Sequence, residues 1–301
     1  MYKETSPSDM EGNRTVINNS RQTRPEWLKV KAPGGESYTR IKSLLNNRSL
    51  HTVCEEAHCP NIGECWSLGT ATFIILGDIC SRNCRFCAVS AGIPQLPDSE
   101  EPNNIAESVR EMHLKHVVIT SVTRDDLRDG GSEIWANTIK EVRRLNPDVT
   151  IEVLIPDFKG DLTALNRVLQ TKPDVLNHNI ETVPRLYSRV RPKADYRTSL
   201  SILEEAKKQG FTTKSGLMVG IGETKEEIID VMRDLRNSKV DLLTIGQYLQ
   251  PTKEHLTVER FVHPDEFSDY STIGKELGFI HVESSPLVRS SYHAGVHKQT
   301  L

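Results

Sequence analysis

No stretch of this sequence comes near the roughly 18 consecutive apolar residues that a membrane-spanning helix needs. The longest obvious run, Thr72–Leu76 after Ala71, has the length of a strand. Met1–Gly34 lacks the apolar segment of a secretory signal, and Glu4, Asp9, Glu11 and Glu26 argue against an acid-poor transit peptide. An excess of one charge is missing too. Lys plus Arg is 38 against 41 for Asp plus Glu, a formal net charge of -3, so there is no electrostatic footprint for nucleic acid. Cysteine is absent outside one window, Cys54 to Cys87. A chain of 301 residues, 37% hydrophobic and 26% charged, can bury a large core without disulfides and reads as globular. The expectation is a cytoplasmic, enzyme-sized protein, or a matrix protein already trimmed, with no membrane partner and no nucleic-acid partner, a local basic patch being the one opening for the latter.

The six cysteines fall into two triplets, Cys54-x4-Cys59-x5-Cys65 and Cys80-x3-Cys84-x2-Cys87. Three chemistries compete for them. Disulfides suit small secreted domains, and neither condition is met. Structural zinc closes with four ligands from paired units, and neither triplet has that form, although His51 and His58 are near enough in sequence to supply a fourth. Iron–sulfur clusters are held by thiolates, and four irons ask for four ligands. A triplet leaves one iron open or calls for an outside ligand.

Along the rest of the chain, short apolar runs alternate with amphipathic ones. Thr72–Gly77 is β-rich, and strands are expected at His116–Ser121, Thr150–Ile155, Asp174–Ile180, Thr213–Val219 and Leu242–Tyr248. Helices are expected at Ile105–Leu114, Glu133–Leu145, Leu162–Gln170, Ser199–Gln209 and Lys225–Ser238, with Gly210 as a helix stop and Thr224 as an N-cap. A short helix around Ile41–Leu45, a last helix at Pro264–Leu277 and a strand-like Phe279–Glu283 complete the pattern. Alternating βα units imply an α/β fold with a parallel sheet. Periodicity leaves open whether that sheet closes.

Cys80-Ser81-Arg82-Asn83-Cys84-Arg85-Phe86-Cys87, with an aromatic before the last cysteine, resembles the signature of the radical S-adenosylmethionine superfamily. That resemblance implies a partial (β/α)6 TIM-like barrel with N-terminal and C-terminal extensions. It also implies that Cys80, Cys84 and Cys87 hold a 4Fe-4S cluster whose open iron binds S-adenosylmethionine. In such barrels chemistry collects where strands end, and this triplet follows the first strand. A second resemblance is narrower. The stretch from His51 to Trp66, Val288-Arg289-Ser290-Ser291-Tyr292-His293-Ala294, Val122–Gly131 and Asn177–Thr182 all resemble motifs of the lipoyl synthase family, and the similarity runs from about Pro25 to His293.

This family implies a second 4Fe-4S cluster on Cys54, Cys59 and Cys65, completed by a serine of the RSSY motif. Ser291 is the expected ligand, with Ser290 the alternative and a turn-capping role the plainer reading. It implies insertion of two sulfurs, at carbons 6 and 8 of an octanoyl chain on a lysine of a lipoyl-carrier domain. The second cluster would be the sacrificial sulfur donor. The carrier would come from 2-oxoacid dehydrogenase complexes or the glycine cleavage system, and a ferredoxin or flavodoxin would supply electrons. Expected divisions are a mobile polar tail over 1–35, the auxiliary-cluster segment over 36–69, the partial barrel over 70–283 and the RSSY segment over 284–301.

Contacts to S-adenosylmethionine are expected at strand ends: Ser121 and Thr123 after the second strand, Asn177, Asn179 and Glu181 after the fourth, and Gly220, whose missing Cβ would let backbone approach adenine. Relatives often carry a Gly-Gly-Glu type segment after the second strand, and this chain does not. Gly220 to Lys225 does not open a nucleotide-binding βαβ unit. Arg191 and Arg197 would bind a carboxylate or make exposed salt bridges. His113, His116 and His178 read as packing or hydrogen-bonding residues. Asp125 and Asp126 read as capping or hydrogen-bonding groups at the barrel mouth rather than metal ligands. The remaining alternatives are another radical sulfur-inserting enzyme and a non-catalytic iron–sulfur or zinc protein.

Overall fold

The structure is a computed structural model and describes residues 23–30, 34, 36–47, 50–56 and 59–297. Most of the expected tail, and His58, lie outside the described residues. Within 23–30, Glu26–Leu28 forms one helical turn, and Leu28 is buried.

Ten strands are present among the described residues: β1 His51–Thr52, β2 Thr70–Ile75, β3 Ile79–Cys80, β4 Ser90–Ala91, β5 His116–Ser121, β6 Thr150–Leu154, β7 Val175–Asn177, β8 Thr213–Val219, β9 Leu242–Gln247 and β10 His281–Ser284. Eight form one sheet in the order β1-β2-β5-β6-β7-β8-β9-β10, while β3 and β4 pair separately. From β2 through β10 every neighbour in that sheet is parallel, and only β1 runs antiparallel, against β2. The six expected βα units are β2 and β5–β9 with the helices that follow them. Strand β10 adds a seventh parallel strand, and the sheet does not close on itself.

Strands form where the sequence supplies short runs buried on both faces, as parallel sheets require; all six residues of β9 are buried. Helices lie between them at Glu101–Glu111, Ser132–Leu145, Leu162–Leu169, Tyr196–Lys208, Lys225–Asn237 and Pro264–Glu276. Their ends are set by side chains. Thr224 and Glu227 make a reciprocal capping box, and Asp161 and Asp195 accept N–H groups of the first turns that follow them. Gly210 directly follows the C-cap Gln209 in a left-handed conformation, as a helix stop should.

Two expected boundaries move. The helix expected from Ile105 begins at Glu101, because Pro102 sits in its first turn, where its missing N–H has no helical partner to lose. The strand expected through Ile180 ends at Asn177. There the chain leaves the ladder: the Ile180 N–H donates to Ser215 Oγ at 3.1 Å, and Glu181 takes a left-handed φ of 69°.

A single buried cluster runs from Ile41 and Trp66 through the barrel to Val282. Between the strands this core holds charge. Lys214 Nζ donates to both Glu152 oxygens at 3.1 and 3.2 Å, and Asn177 Nδ2 donates to Glu152 Oε1 at 2.8 Å. His116, also buried, lies 3.8 Å from Glu152. Burial alone would raise the Glu152 carboxyl, but Lys214, His116 and Asn177 outweigh it and bring it down to about 2.

Candidate functional site

Strand β2 leads straight into the second cysteine triplet. Its last turn is held by Glu101, which accepts the Leu76 N–H at 2.8 Å, and by Arg124, which donates to the Leu76 carbonyl at 3.1 Å. Cys80 ends β3, and the pairing of β3 with β4 ties together both ends of the loop that carries Cys84 and Cys87. Main-chain bonds fasten this loop to the barrel mouth. Ser81 N–H donates to Thr123 O at 3.0 Å, Arg85 N–H to Val190 O at 2.9 Å, and Leu256 N–H to Arg85 O at 3.1 Å. His255 Nε2 lies 2.8 Å from Cys87 O.

The thiols suit a buried cluster. All six cysteines are free. Cys80 Sγ accepts N–H groups from Arg82 at 3.4 Å and Thr123 at 3.3 Å, the kind of donor that steadies a ligating thiolate. Burial, and then proximity to Cys84 and Cys80, pushes the Cys87 thiol up to about 12. Cys84 is raised too, chiefly by burial. Thiols in such surroundings deprotonate when a metal replaces the proton. Among the described residues, no three His, Cys, Asp or Glu side chains converge on a single ion. His51, the described candidate for a fourth zinc ligand, is engaged with Glu56 at 3.2 Å.

Facing this loop are the expected strand-end residues. Ser121 ends β5, and its buried hydroxyl has no partner. Asn179 donates to Glu181 Oε1 at 3.1 Å, while its own Oδ1 is buried and unpartnered. Burial raises the Glu181 carboxyl. His178 is buried with Nδ1 2.8 Å from the Ile155 carbonyl, leaving Nε2 unpartnered. Burial, aided by Arg191, lowers its pKa to about 4 and keeps it neutral. Neutral, with Nδ1–H donating, it presents Nε2 as an acceptor. Arg191 is buried, so the exposed salt-bridge reading fails. It donates to Asn179 O at 3.0 Å and Tyr187 Oη at 2.7 Å, feels the charges of Glu181 and Cys84, and leaves Nε unpartnered. Orphaned buried polar atoms are rare, and here four of them sit around one mouth. They fit a polar, zwitterionic ligand such as S-adenosylmethionine.

Three other groups of expected residues are placed as follows. Gly220 is held within the protein: its N–H donates to Glu223 at 2.6 Å and its carbonyl accepts from the Glu259 N–H at 2.9 Å. A Cβ there would lie 2.2 Å from Gln247 Nε2, so glycine is required by contact within the protein. Arg197 is exposed on helix Tyr196–Lys208. Asp125 and Asp126 are arginine partners at the mouth, Asp125 of Arg82 and Asp126 of Arg124.

The first triplet lies on the open side of the barrel, next to β1 and β2. Cys54 is on the short helix Val53–Glu56, Cys65 on the helix Ile62–Ser67, and Cys59 between them. Burial and neighbouring thiols raise Cys54 to about 11 and Cys65 to about 12. The Trp66 indole N–H favours a charged Cys54 and has no other partner. The RSSY segment packs against these helices. Asn61 Nδ2 donates to Leu287 O at 2.8 Å, Tyr292 Oη to Glu64 Oε2 at 3.1 Å, and His293 Nε2 lies 3.3 Å from Glu64 Oε1. Arg289 feels the charge of Cys59 and Tyr292 that of Cys65, and Ser290 and Ser291 lie between these two residues in the chain. Sequence reasoning missed Arg82, Asp157, Arg289 and His255. Arg82 and Arg289 stood inside recognised motifs, whereas Asp157 and His255 carried no signal.

Known proteins agree with this geometry. The Radical SAM superfamily profile matches residues 74–235, and the N-terminal domain of lipoyl synthase matches residues 2–59. Among solved structures, the FeFe-hydrogenase maturase HydG from Carboxydothermus hydrogenoformans shares the fold with a TM-score of 0.57 at 16% identity, over 77% of this chain and 65% of that one. Streptococcus suis SuiB bound to S-adenosylmethionine does so with a TM-score of 0.54 at 10% identity, over 72% of this chain and 50% of that one. The chain thus spans under two thirds of either solved chain. It is a radical S-adenosylmethionine enzyme, with a 4Fe-4S cluster and S-adenosylmethionine as cofactors. The lipoyl synthase of Rubrobacter xylanophilus is 57% identical over 93% of this chain and 87% of its own length, and the mitochondrial lipoyl synthase of Nematostella vectensis is 53% identical over 92% and 96%. The chain belongs to the lipoyl synthase family, radical sulfurtransferases of lipoate biosynthesis that act on a lipoyl-carrier substrate. Among the described residues no helix is long and apolar enough to cross a membrane.

Proposed function

We propose that this enzyme inserts sulfur at carbons 6 and 8 of an octanoyl chain, using two clusters with divided roles. Cys80, Cys84 and Cys87 would hold the cluster that cleaves S-adenosylmethionine. Cys54, Cys59, Cys65 and Ser291 would hold a second, whose sulfide is donated. The observation that carries this is the contact of the RSSY segment with Asn61 and Glu64, at the start of the helix that carries Cys65, made by residue pairs more than 220 positions apart. A triplet short of one ligand meets a hydroxyl-bearing strap. A serine oxygen is a harder ligand than a thiolate, so this fourth bond is the weak one, as a cluster consumed as a sulfur source needs.

When bound, the clusters supply an electron to S-adenosylmethionine and sulfur to the substrate, chemistry that unactivated carbons demand and side chains lack. The chain's own residues bind, orient and exclude water. Ser121, Asn179 and Glu181, with Arg191 and His178 beside them, would hold the polar ends of S-adenosylmethionine. The buried strand ends keep the pocket dry, which protects a radical from side reactions. The triplet in the loop after β2 and the triplet on the short helices beside β2 would both serve the same substrate chain. The expected divisions, 36–69, 70–283 and 284–301, are then functional segments of one folded unit rather than separate domains. The partner would be an octanoylated carrier domain of a 2-oxoacid dehydrogenase complex or the glycine cleavage system. A ferredoxin or flavodoxin would be the electron donor. Six free thiols suit the reducing cytoplasm.

The test is anaerobic reconstitution followed by incubation with S-adenosylmethionine, a reductant and an octanoyl-lysine peptide of a lipoyl domain. A mass gain matching two sulfurs supports the reading. An unchanged peptide with 5′-deoxyadenosine formed would reject the assigned substrate.

A further inference from the structure

One side chain in the cysteine loop has contacts unrelated to ligation. Arg82, two residues from both Cys80 and Cys84, is only 4% exposed. Its Nε and Nη2 donate to the two Asp125 oxygens at 2.7 and 3.0 Å, and its Nη1 and Nη2 donate to the two Asp157 oxygens at 2.7 and 2.7 Å. Asp125 follows β5, and Asp157, itself buried, follows β6. One guanidinium therefore spans two barrel loops with all three of its nitrogens. Its neighbour Ser81 adds bonds to one of these loops only, from its N–H and hydroxyl to Thr123 O and to its hydroxyl from the Asp125 N–H.

The electrostatics match the geometry. Burial alone would raise the Asp157 carboxyl, but hydrogen bonds and charge from Arg82 bring it down to about 2. Asp157 is held from its other side as well, by the Lys159 N–H at 2.9 Å. Lysine could not replace Arg82: an ammonium is a point charge, whereas the planar fork meets two carboxylates in fixed directions.

We propose that Arg82 is the positioning residue of the S-adenosylmethionine-cleaving centre. By forking onto Asp125 and Asp157 it sets the arc between Cys80 and Cys84 in one orientation over the ends of β5 and β6. It thereby orients the group those thiols hold toward the pocket formed by Ser121, Asn179 and Glu181. The inference rests on the assignment of Cys80, Cys84 and Cys87 as cluster ligands. Arg82 acts through those thiols and touches neither substrate nor cofactor.

The experiment compares the wild-type full chain with Arg82→Lys and Asp157→Asn after anaerobic reconstitution. Four quantities are read: iron and sulfide per chain, the electron paramagnetic resonance of the reduced protein before and after S-adenosylmethionine, the melting temperature, and kcat and KM for 5′-deoxyadenosine formation. Arg82→Lys is expected to load iron and sulfide fully and melt near wild type. Its S-adenosylmethionine-induced spectral change should broaden, and kcat should fall about 10-fold or more with a smaller change in KM, as misorientation of reacting groups predicts. Asp157→Asn, which leaves the Asp125 half of the fork, should fall between. A wild-type spectrum and rate in Arg82→Lys would overturn the proposal. So would loss of iron from that variant, which would make Arg82 a retention residue. A wild-type protein that loads no S-adenosylmethionine-responsive cluster would instead overturn the ligand assignment itself.

Discussion

Replacing Cys84 with Ala removes one of the three thiols carried by the loop at the mouth of the barrel, and S-adenosylmethionine cleavage should be lost, read as absence of 5′-deoxyadenosine. Replacing Cys59 with Ala touches the other triplet. Cleavage should persist while no sulfur reaches the octanoyl peptide, and sulfur transfer surviving that change would sink the donor role of the second cluster. Ser291→Ala and Ser290→Ala separate the two serines. Only the first should block sulfur insertion while leaving 5′-deoxyadenosine formation in place; the reverse pattern would move the ligand to Ser290. These residues were legible in the sequence because ligand chemistry restricts residue type and spacing. Arg191 was half legible: its charge suggested a carboxylate, but its burial beside Cys84 and Glu181 is a property of the folded mouth.

At the scale of elements, the strap that follows β10 depends on one close approach. Gly246 lies in β9, and a Cβ on it would stand 2.1 Å from the Val288 carbonyl oxygen. Gly246→Ala must displace the backbone just before Arg289, Ser290 and Ser291. Overpacking of this kind costs about 1–3 kcal/mol. The melting temperature should fall, and reconstituted protein should carry less iron on the first triplet, while cleavage of S-adenosylmethionine is retained. An unchanged iron content would show that the strap tolerates the shift. Elements were read well where period and caps agreed. Thr213–Val219 is a strand over the expected residues, and Lys225–Asn237 starts at the expected N-cap. They were read poorly in the first cysteine segment. Its helices Val53–Glu56 and Ile62–Ser67 have four and six residues, too short to show a helical period.

Across the whole molecule, acid stability should hinge on the charged group inside the barrel. Glu152 is ordinarily a carboxyl of pKa 4.5 and is held at about 2 in the fold. Because the folded value is depressed, its stabilisation is fully present above 4.5 and fades as pH falls toward 2. Glu152→Gln leaves Lys214 buried without its carboxylate partner, which costs about 3–5 kcal/mol at neutral pH. It should also flatten the loss of stability between those pH values, measured by denaturant unfolding at several pH values. An Asn177 or His116 contact strong enough to hold Lys214 without Glu152 would show as a much smaller cost. The sequence by itself determined the α/β class, the barrel strands, both cysteine triplets and the family, because hydrophobic period and ligand spacing are local properties. Only the tertiary structure decided that the sheet stays open, that the RSSY strap meets the helix carrying Cys65, that a Cβ at Gly220 would clash with Gln247, and that Arg82 bridges Asp125 and Asp157. Each of these joins residues distant in the chain. Such contacts are selected by how strands and loops pack in space, which no local pattern encodes.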